Sequence, residues 1–266
     1  MEKFTIAAGV AFRYSDTEKG DDSVILLHGY LETLDVWDQW SQLLAQRYRV
    51  ISLDLPGHGI SEVKGDIHTM KFLAETVHGL IENLGLKRYF VIGHSMGGYV
   101  AMEMMKYWQS EIKGVIFLHS HPFADSEKRA EDRQREIELM LSGRKEVLVN
   151  INPQRRFAVE NCKRLESVID ELKEMASLIE DEGIIAILRG ISQRGDYLEI
   201  FKSETAPSLF IFGTQDQMIP AQAVKLLIEQ LPQVSVVQLE HSGHMSFIEQ
   251  PEDTFNLVAE FIDKNR

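Results

Sequence analysis

The sequence predicts an α/β fold built on a mostly parallel sheet. Three observations predict it. Short β-branched and aliphatic runs recur along the chain, helical patterns lie between most of them, and one long, charged, helical stretch interrupts the alternation.

Taken in chain order, Phe4 to Ala7 and Val10 to Tyr14 are joined around Gly9 with no room for a helix, so an antiparallel edge hairpin is expected. The runs Ser23 to Leu27, Val50 to Leu53, Tyr89 to Ile92 and Gly114 to Leu118 are apolar throughout, as strands buried on both faces should be. Thr69 to Leu84 and Met96 to Trp108 read as helices between strands. The pattern resumes with strand Ser208 to Phe212, helix Ala221 to Leu231 and strand Ser235 to Leu239. A final helix opens at Pro251, with Glu252 and Asp253 suiting its positive end; Phe255, Val258, Phe261 and Ile262 share the face expected to pack on the sheet. Between β-type runs, residues 121–203 carry EKRAEDRQREIELML and SVIDELKEMASLIEDE and no strand signal. They are expected to form a helical cap inserted after the sixth strand, leaving residues 1–120 and 204–266 as one core.

A chain of 266 residues with 44% hydrophobic and 26% charged side chains has enough apolar material for a sizeable core. The formal charge of −13 opposes attachment to phosphate backbones or anionic lipid, so neither nucleic acid nor membrane is an expected partner. Cys162 is the only cysteine, which excludes an intrachain disulfide and any multi-cysteine zinc site. No stretch approaches about 18 apolar residues in a row, and MEKFTIAAGV is not a basic start followed by a long apolar run, so a cytoplasmic location is expected.

Gly93-His94-Ser95-Met96-Gly97 matches G-x-S-x-G. Its setting gives the match its weight: it follows the apolar run YFVI and opens the helical pattern MGGYVAMEMMKYW, the strand, turn, helix context a nucleophilic serine requires. Flanking glycines relieve the collisions of a tight turn. The turn also places Ser95 at a helix N-terminus, where the Met96 N–H faces a developing oxyanion. A serine hydroxyl needs a base and an acid to orient that base. Asp216 in GTQDQMIP and His244 in HSGHMSF follow the next two predicted strands, so both fall on the sheet edge that carries Ser95.

With these residues in view, the chain resembles the α/β-hydrolase family through His28-Gly29, DLPGHGIS from Asp54 to Ser61, GHSMGG from Gly93 to Gly98, GTQD and SGH, over about residues 20 to 120 and 205 to 264. The resemblance implies an eight-stranded sheet, Ser95 as nucleophile, Asp216 as acid, His244 as base and no cofactor. It also implies a second oxyanion donor after the strand ending at His28, by position the Tyr30 N–H, with the Tyr30 side chain facing the acyl pocket. The insertion departs most from the family pattern and leaves the substrate open.

His28, His58 and His94 belong to those motifs and are expected to hold loops by hydrogen bonds. His119 and His121 in LHSHPFAD, with Met218 and Met245, are candidates for lining a substrate pocket. The histidine pair lacks a third ligand at suitable spacing, so no metal is expected. Asp125 is an alternative position for the acid, and Asp54 is read as a turn stabiliser. Arg133, Arg135, Arg155, Arg156, Lys163 and Arg164 alternate with acids and read as a solvated helical face, with a carrier-protein substrate as the alternative. The expected activity is cleavage of a small acyl substrate, an ester first, with thioester, lactone or C–C bond cleavage and cofactor-free perhydrolysis as alternatives sharing the triad. A ligand-sensing protein that retains the fold is the alternative of another class.

Overall fold

Buried backbone N–H and C=O groups must be paired, and in the computed structural model of this protein the apolar runs satisfy one another in one sheet. Residues 2–202 and 206–266 are described; the expected boundary between insertion and core at 203/204 lies outside them.

Strands β1 (Glu2–Ala7) and β2 (Val10–Asp16) form the antiparallel hairpin, turning through Ala8 and Gly9 at φ 50° and 73°. Strand β3 (Ser23–Leu27) leads to α1 (Asp38–Leu44) and β4 (Arg49–Leu53). Helix α2 (Met70–Asn83) is capped by Thr69, whose side chain accepts from the Phe72 N–H. Then come β5 (Tyr89–His94), α3 (Met96–Trp108) and β6 (Ile112–Leu118). Five helices follow: α4 (Glu127–Leu141), α5 (Lys145–Arg155), α6 (Glu166–Leu178), α7 (Asp181–Ser192) and α8 (Leu198–Lys202). The sheet resumes with β7 (Ser208–Gly213), α9 (Ala221–Gln230) and β8 (Ser235–Leu239), and the chain ends in α10 (Ser246–Glu249) and α11 (Pro251–Lys264).

The strand order is β1-β2-β4-β3-β5-β6-β7-β8, antiparallel at β1, β2 and β4 and parallel thereafter. Alternate strand residues feed two apolar layers. Ile25, Leu27, Val91 and Phe117 pack with α2 and α3, whereas Val24, Leu26, Phe90 and Ile92 pack with Trp40 of α1 and with Val258 and Ile262 of α11. Phe261 of α11 also reaches the sheet, where Gly114 leaves it room: a Cβ there would meet the ring at 2.9 Å. Strand β8 departs from the expectation of burial on both faces. It is the edge strand, and Ser235 and Gln238 are exposed. Helix α1 adds an element to those expected from the sequence; Trp37, Trp40 and Leu44 recur at helical spacing and are buried.

The inserted helices are anchored to the core through α7. Gly183, Ala186 and Gly190 lie on one face of it, and the His68 N–H donates to the Ala186 carbonyl at 2.9 Å. A Cβ at Gly183 would overlap the Gly57 carbonyl oxygen, and one at Gly190 the His68 carbonyl oxygen. Among the described residues no helix is long and apolar enough to cross a membrane. Gly190→Ala is expected to cost about 1–3 kcal/mol by overpacking and to lower Tm by several degrees in thermal unfolding. Gly195→Ala, whose Cβ meets nothing within 4 Å, should leave Tm unchanged or raise it.

Candidate active site

Ser95 sits where β5 turns into α3, at φ 50° and ψ −112°, outside the regions that suit an L-residue. The turn is held by the Ser95 N–H donating to the Leu118 carbonyl at 2.9 Å. Its glycines are steric requirements. A Cβ at Gly97 would overlap the Leu27 carbonyl oxygen, one at Gly93 would press on the Gly97 carbonyl, and one at Gly98 would strike Ser120. The result is a partly exposed serine at the mouth of the strand edge, with the Met96 amide opening the helix beside it.

Asp216 and His244 occupy the loops after β7 and β8. His244 Nδ1 lies 2.7 Å from Asp216 Oδ2. The carboxylate only accepts, so Nδ1 carries the proton and Nε2 keeps its lone pair. Asp216 Oδ1 accepts from the Met218 and Ile219 N–H groups at 2.7 and 3.0 Å. A second imidazole reaches the same oxygen: His119 Nδ1 is 3.2 Å from Asp216 Oδ2. His119 Nε2 accepts from the Ser246 N–H at 3.1 Å, which fixes its proton on Nδ1, facing the carboxylate. Burial alone would raise the Asp216 carboxyl, but His244 and His119 outweigh it and hold the group well below the usual carboxylate range. Burial lowers His244 to about 4, against the opposing pull of Asp216.

Behind Ser95 lies a buried ionic cluster. Glu32 Oε2 accepts from the Gly29 N–H at 2.6 Å and faces His94 Nδ1 at 2.9 Å, while Oε1 pairs with Arg156 at 2.6 Å. His94 Nε2 faces the backbone carbonyl of His244 at 2.9 Å. Arg156, from the end of α5, also donates to the Tyr30 carbonyl, and its own carbonyl accepts from the His244 N–H at 2.5 Å. The loop around Tyr30, the serine turn and the inserted helices thus meet at one carboxylate, and the His244 loop joins them through His94 and Arg156. Burial would raise Glu32, but His94, Arg156 and the Gly29 N–H keep it ionised, well below its ordinary value. Gly29 is glycine because a Cβ would come within 2.9 Å of both His94 and Glu32. Leu31 and His119 share the left-handed backbone of Ser95, at φ 59° and 50°, so three strained residues ring the site at a cost of about 1–3 kcal/mol each.

Ser95 and His244 line one cavity of about 450 Å³. Tyr30, Met96, His121 and Met218 line it too. His119 does not: it stands behind Asp216, fully buried. Met245 is likewise buried, in the layer beneath α11, and does not line the cavity. Asp125 lines it, but its carboxylate is taken by Arg133 at 2.5 Å and Arg194 at 2.9 Å, so the carboxylate facing His244 is Asp216. Arg133 and Arg156 are buried, each 4% exposed, against the expectation of a solvated face. Their alternating neighbours hid two internal ion pairs. Asp54 accepts from the Leu34 N–H at 2.8 Å as a turn stabiliser, and also pairs with Arg13. His28 clips two strand ends together, accepting from the Leu55 N–H at 2.9 Å, and His58 packs edge-on against it.

His119, Asp216 and His244 offer three ligand atoms within 4.8 Å of one another, a grouping the linear spacing did not reveal. Both histidine nitrogens nearest the carboxylate carry protons in the hydrogen-bonded arrangement above, so a metal there would have to displace both bonds. Glu32 and Arg156 were the functional candidates missed in the sequence. An acid in the apolar turn HGYLETL is the available signal, because a buried carboxylate requires a cation.

A family profile described as the alpha/beta hydrolase fold matches residues 22–251. An uncharacterized hydrolase, YugF, from Bacillus subtilis (strain 168) is 29% identical, over 98% of this chain and 97% of that one. A pimeloyl-[acyl-carrier protein] methyl ester esterase from Aeromonas hydrophila is 26% identical, over 90% and 94%. Among solved structures, a thermophilic esterase from Thermogutta terrifontis superposes with a TM-score of 0.91 at 25% identity, over 99% and 98% of the two chains.

Glu32→Gln removes the counter-charge of buried Arg156, and Arg156→Met takes from the Glu32 carboxylate its guanidinium partner, leaving His94 and the Gly29 N–H. Each is expected to cost about 3–5 kcal/mol in denaturant unfolding, and the double variant less than the sum of the two.

Proposed function

The chain belongs to the α/β hydrolase fold family, and from that premise we propose that it is a serine hydrolase cleaving a carboxylic ester or related acyl substrate through an acyl-enzyme. The observation that carries this reading is the 2.7 Å contact of His244 Nδ1 with Asp216 beside a cavity that His244 and Ser95 both line. With Nδ1 donating to Asp216, Nε2 keeps its lone pair and is the ring nitrogen available as a base.

In the proposed cycle His244 Nε2 takes the Ser95 hydroxyl proton as Oγ attacks the substrate carbonyl. The oxyanion is held by the Met96 and Tyr30 N–H groups, the second oriented by the clamps on Gly29 and on the Tyr30 carbonyl. The imidazolium gives its proton to the departing alcohol as the C–O bond breaks. His244 then takes a proton from water, hydroxide attacks the acyl-enzyme, and Ser95 leaves with its proton restored. Asp216 fixes the tautomer and stabilises the imidazolium; no cofactor takes part. His119 acts on Asp216 rather than on substrate and is a positioning residue. The helices between β6 and β7 act as the cap, since Ser126, Arg133, Arg156 and Ile191 wall the cavity. The acyl group arrives free or on a carrier protein; the relative from Aeromonas hydrophila, named for an acyl-carrier substrate, supports keeping the latter.

Steady-state hydrolysis of p-nitrophenyl esters of increasing acyl length tests the reading. Ser95→Ala is expected to lower kcat by at least a thousandfold with the fold intact; undiminished turnover would reject Ser95 as nucleophile. The pH profile is a second test. The base works only when neutral, so kcat/KM should stay flat through neutrality and fall as pH drops through about 4, the value to which burial lowers His244. The absence of any acid limb while the protein stays folded would contradict a titrating base.

A further inference from the structure

The cavity wall is opposite in sign to the rest of the molecule. The chain has 41 acidic and 28 basic side chains, yet five cationic residues and two carboxylates line the cavity. Two of the cations are committed: Arg133 to Asp125 and Arg156 to Glu32. The second lining acid, Asp132, is met at 3.1 Å by Arg135 from outside the cavity. Lys128, Arg129 and Arg155 remain, and none of the three forms an ion pair among the described residues; half-buried Arg129 feels Asp125 and Glu136 only at longer range. Lys128 and Arg129 moreover fall in the first turn of α4, where the helix dipole disfavours cations. Lys128 and Arg155 are exposed and Arg129 half-buried, so no ion pair within the described residues saturates these charges, and an anion in the cavity would pair with them. The same cavity also presents apolar surface from Met96, Met218, Ile219 and Leu226.

We propose that this wall binds an oxyanion, carboxylate or phosphate, that is part of the substrate cleaved at Ser95. The inference rests on the serine hydrolase reading above and specifies its substrate class: an amphipathic acyl compound with an apolar stretch against the methionine-lined surface and an anionic group held by Lys128, Arg129 and Arg155. That group sits either at the far end of the acyl chain, as in a monoester of a dicarboxylic acid, or on the leaving group.

Two matched pairs of esters separate these sources. The acyl pair is p-nitrophenyl hydrogen glutarate against p-nitrophenyl valerate; the leaving-group pair is 3-carboxy-4-nitrophenyl butyrate against 4-nitrophenyl butyrate. In one pair the anionic member should have a kcat/KM about tenfold or more above its neutral partner at low salt, as expected of a charge-assisted hydrogen bond. The preference should shrink as ionic strength rises. Arg129→Gln/Arg155→Gln should lower the anionic-to-neutral ratio about tenfold, while Lys87→Gln, at an exposed residue that does not line the cavity, leaves it unchanged. Neutral esters preferred in both pairs, or a ratio unmoved by salt and by the double variant, would overturn the proposal while Ser95-dependent turnover still stands. No Ser95-dependent turnover of any of the four esters would instead remove the hydrolase reading and this inference with it.

Discussion

The site depends on one steric constraint, the turn at Ser95. A serine held at φ 50° between a buried strand and a helix can exist only if the chain packs around it without side chains at residues 93, 97 and 98. Close packing of the Gly97 backbone on Leu27 then brings the end of β3 against the start of α3. Tyr30 and Met96 become neighbours for that reason, and the parallel strands deliver Asp216 and His244 to the same edge.

The β3 loop, the serine turn and the inserted helices are tied together by charge as well as by apolar packing. Glu32 alone touches the β3 loop through Gly29, the serine turn through His94 and the inserted helices through Arg156. A buried pair of this kind contributes little net stability compared with a well-packed apolar replacement. Its value here is that separating the serine turn or the inserted helices from the β3 loop would pull a charged partner off Glu32. Anchoring of α7 by Gly183 and Gly190 adds a second, steric tie on the opposite side of the insertion. The cavity wall is thereby tied to the core where it meets the serine, and the cations without an ion pair among the described residues lie in the first turn of α4 and at the end of α5.

The sheet was legible in the sequence because buried parallel strands must be continuously apolar, as β3, β5, β6 and β7 are. The positions of Ser95, Asp216 and His244 were legible because strand ends, turn glycines and chain order are local features. Side-chain burial within the insertion was not. Arg133 and Arg156 sit among exposed charges of both signs, and only the folded chain reveals that Asp125 and Glu32 lie opposite them. His119 illustrates the same limit. Its place at a strand end signalled proximity to the site, but not that it would stand behind Asp216 with both ring nitrogens engaged.

The central claim, a covalent acyl intermediate on Ser95, is tested most directly by mass spectrometry of the protein treated with a fluorophosphonate and digested. One equivalent of adduct is expected, located on the peptide containing Ser95 and absent when the protein is first unfolded. Turnover of esters by a protein that acquires no adduct, or that carries it on another residue, would contradict it.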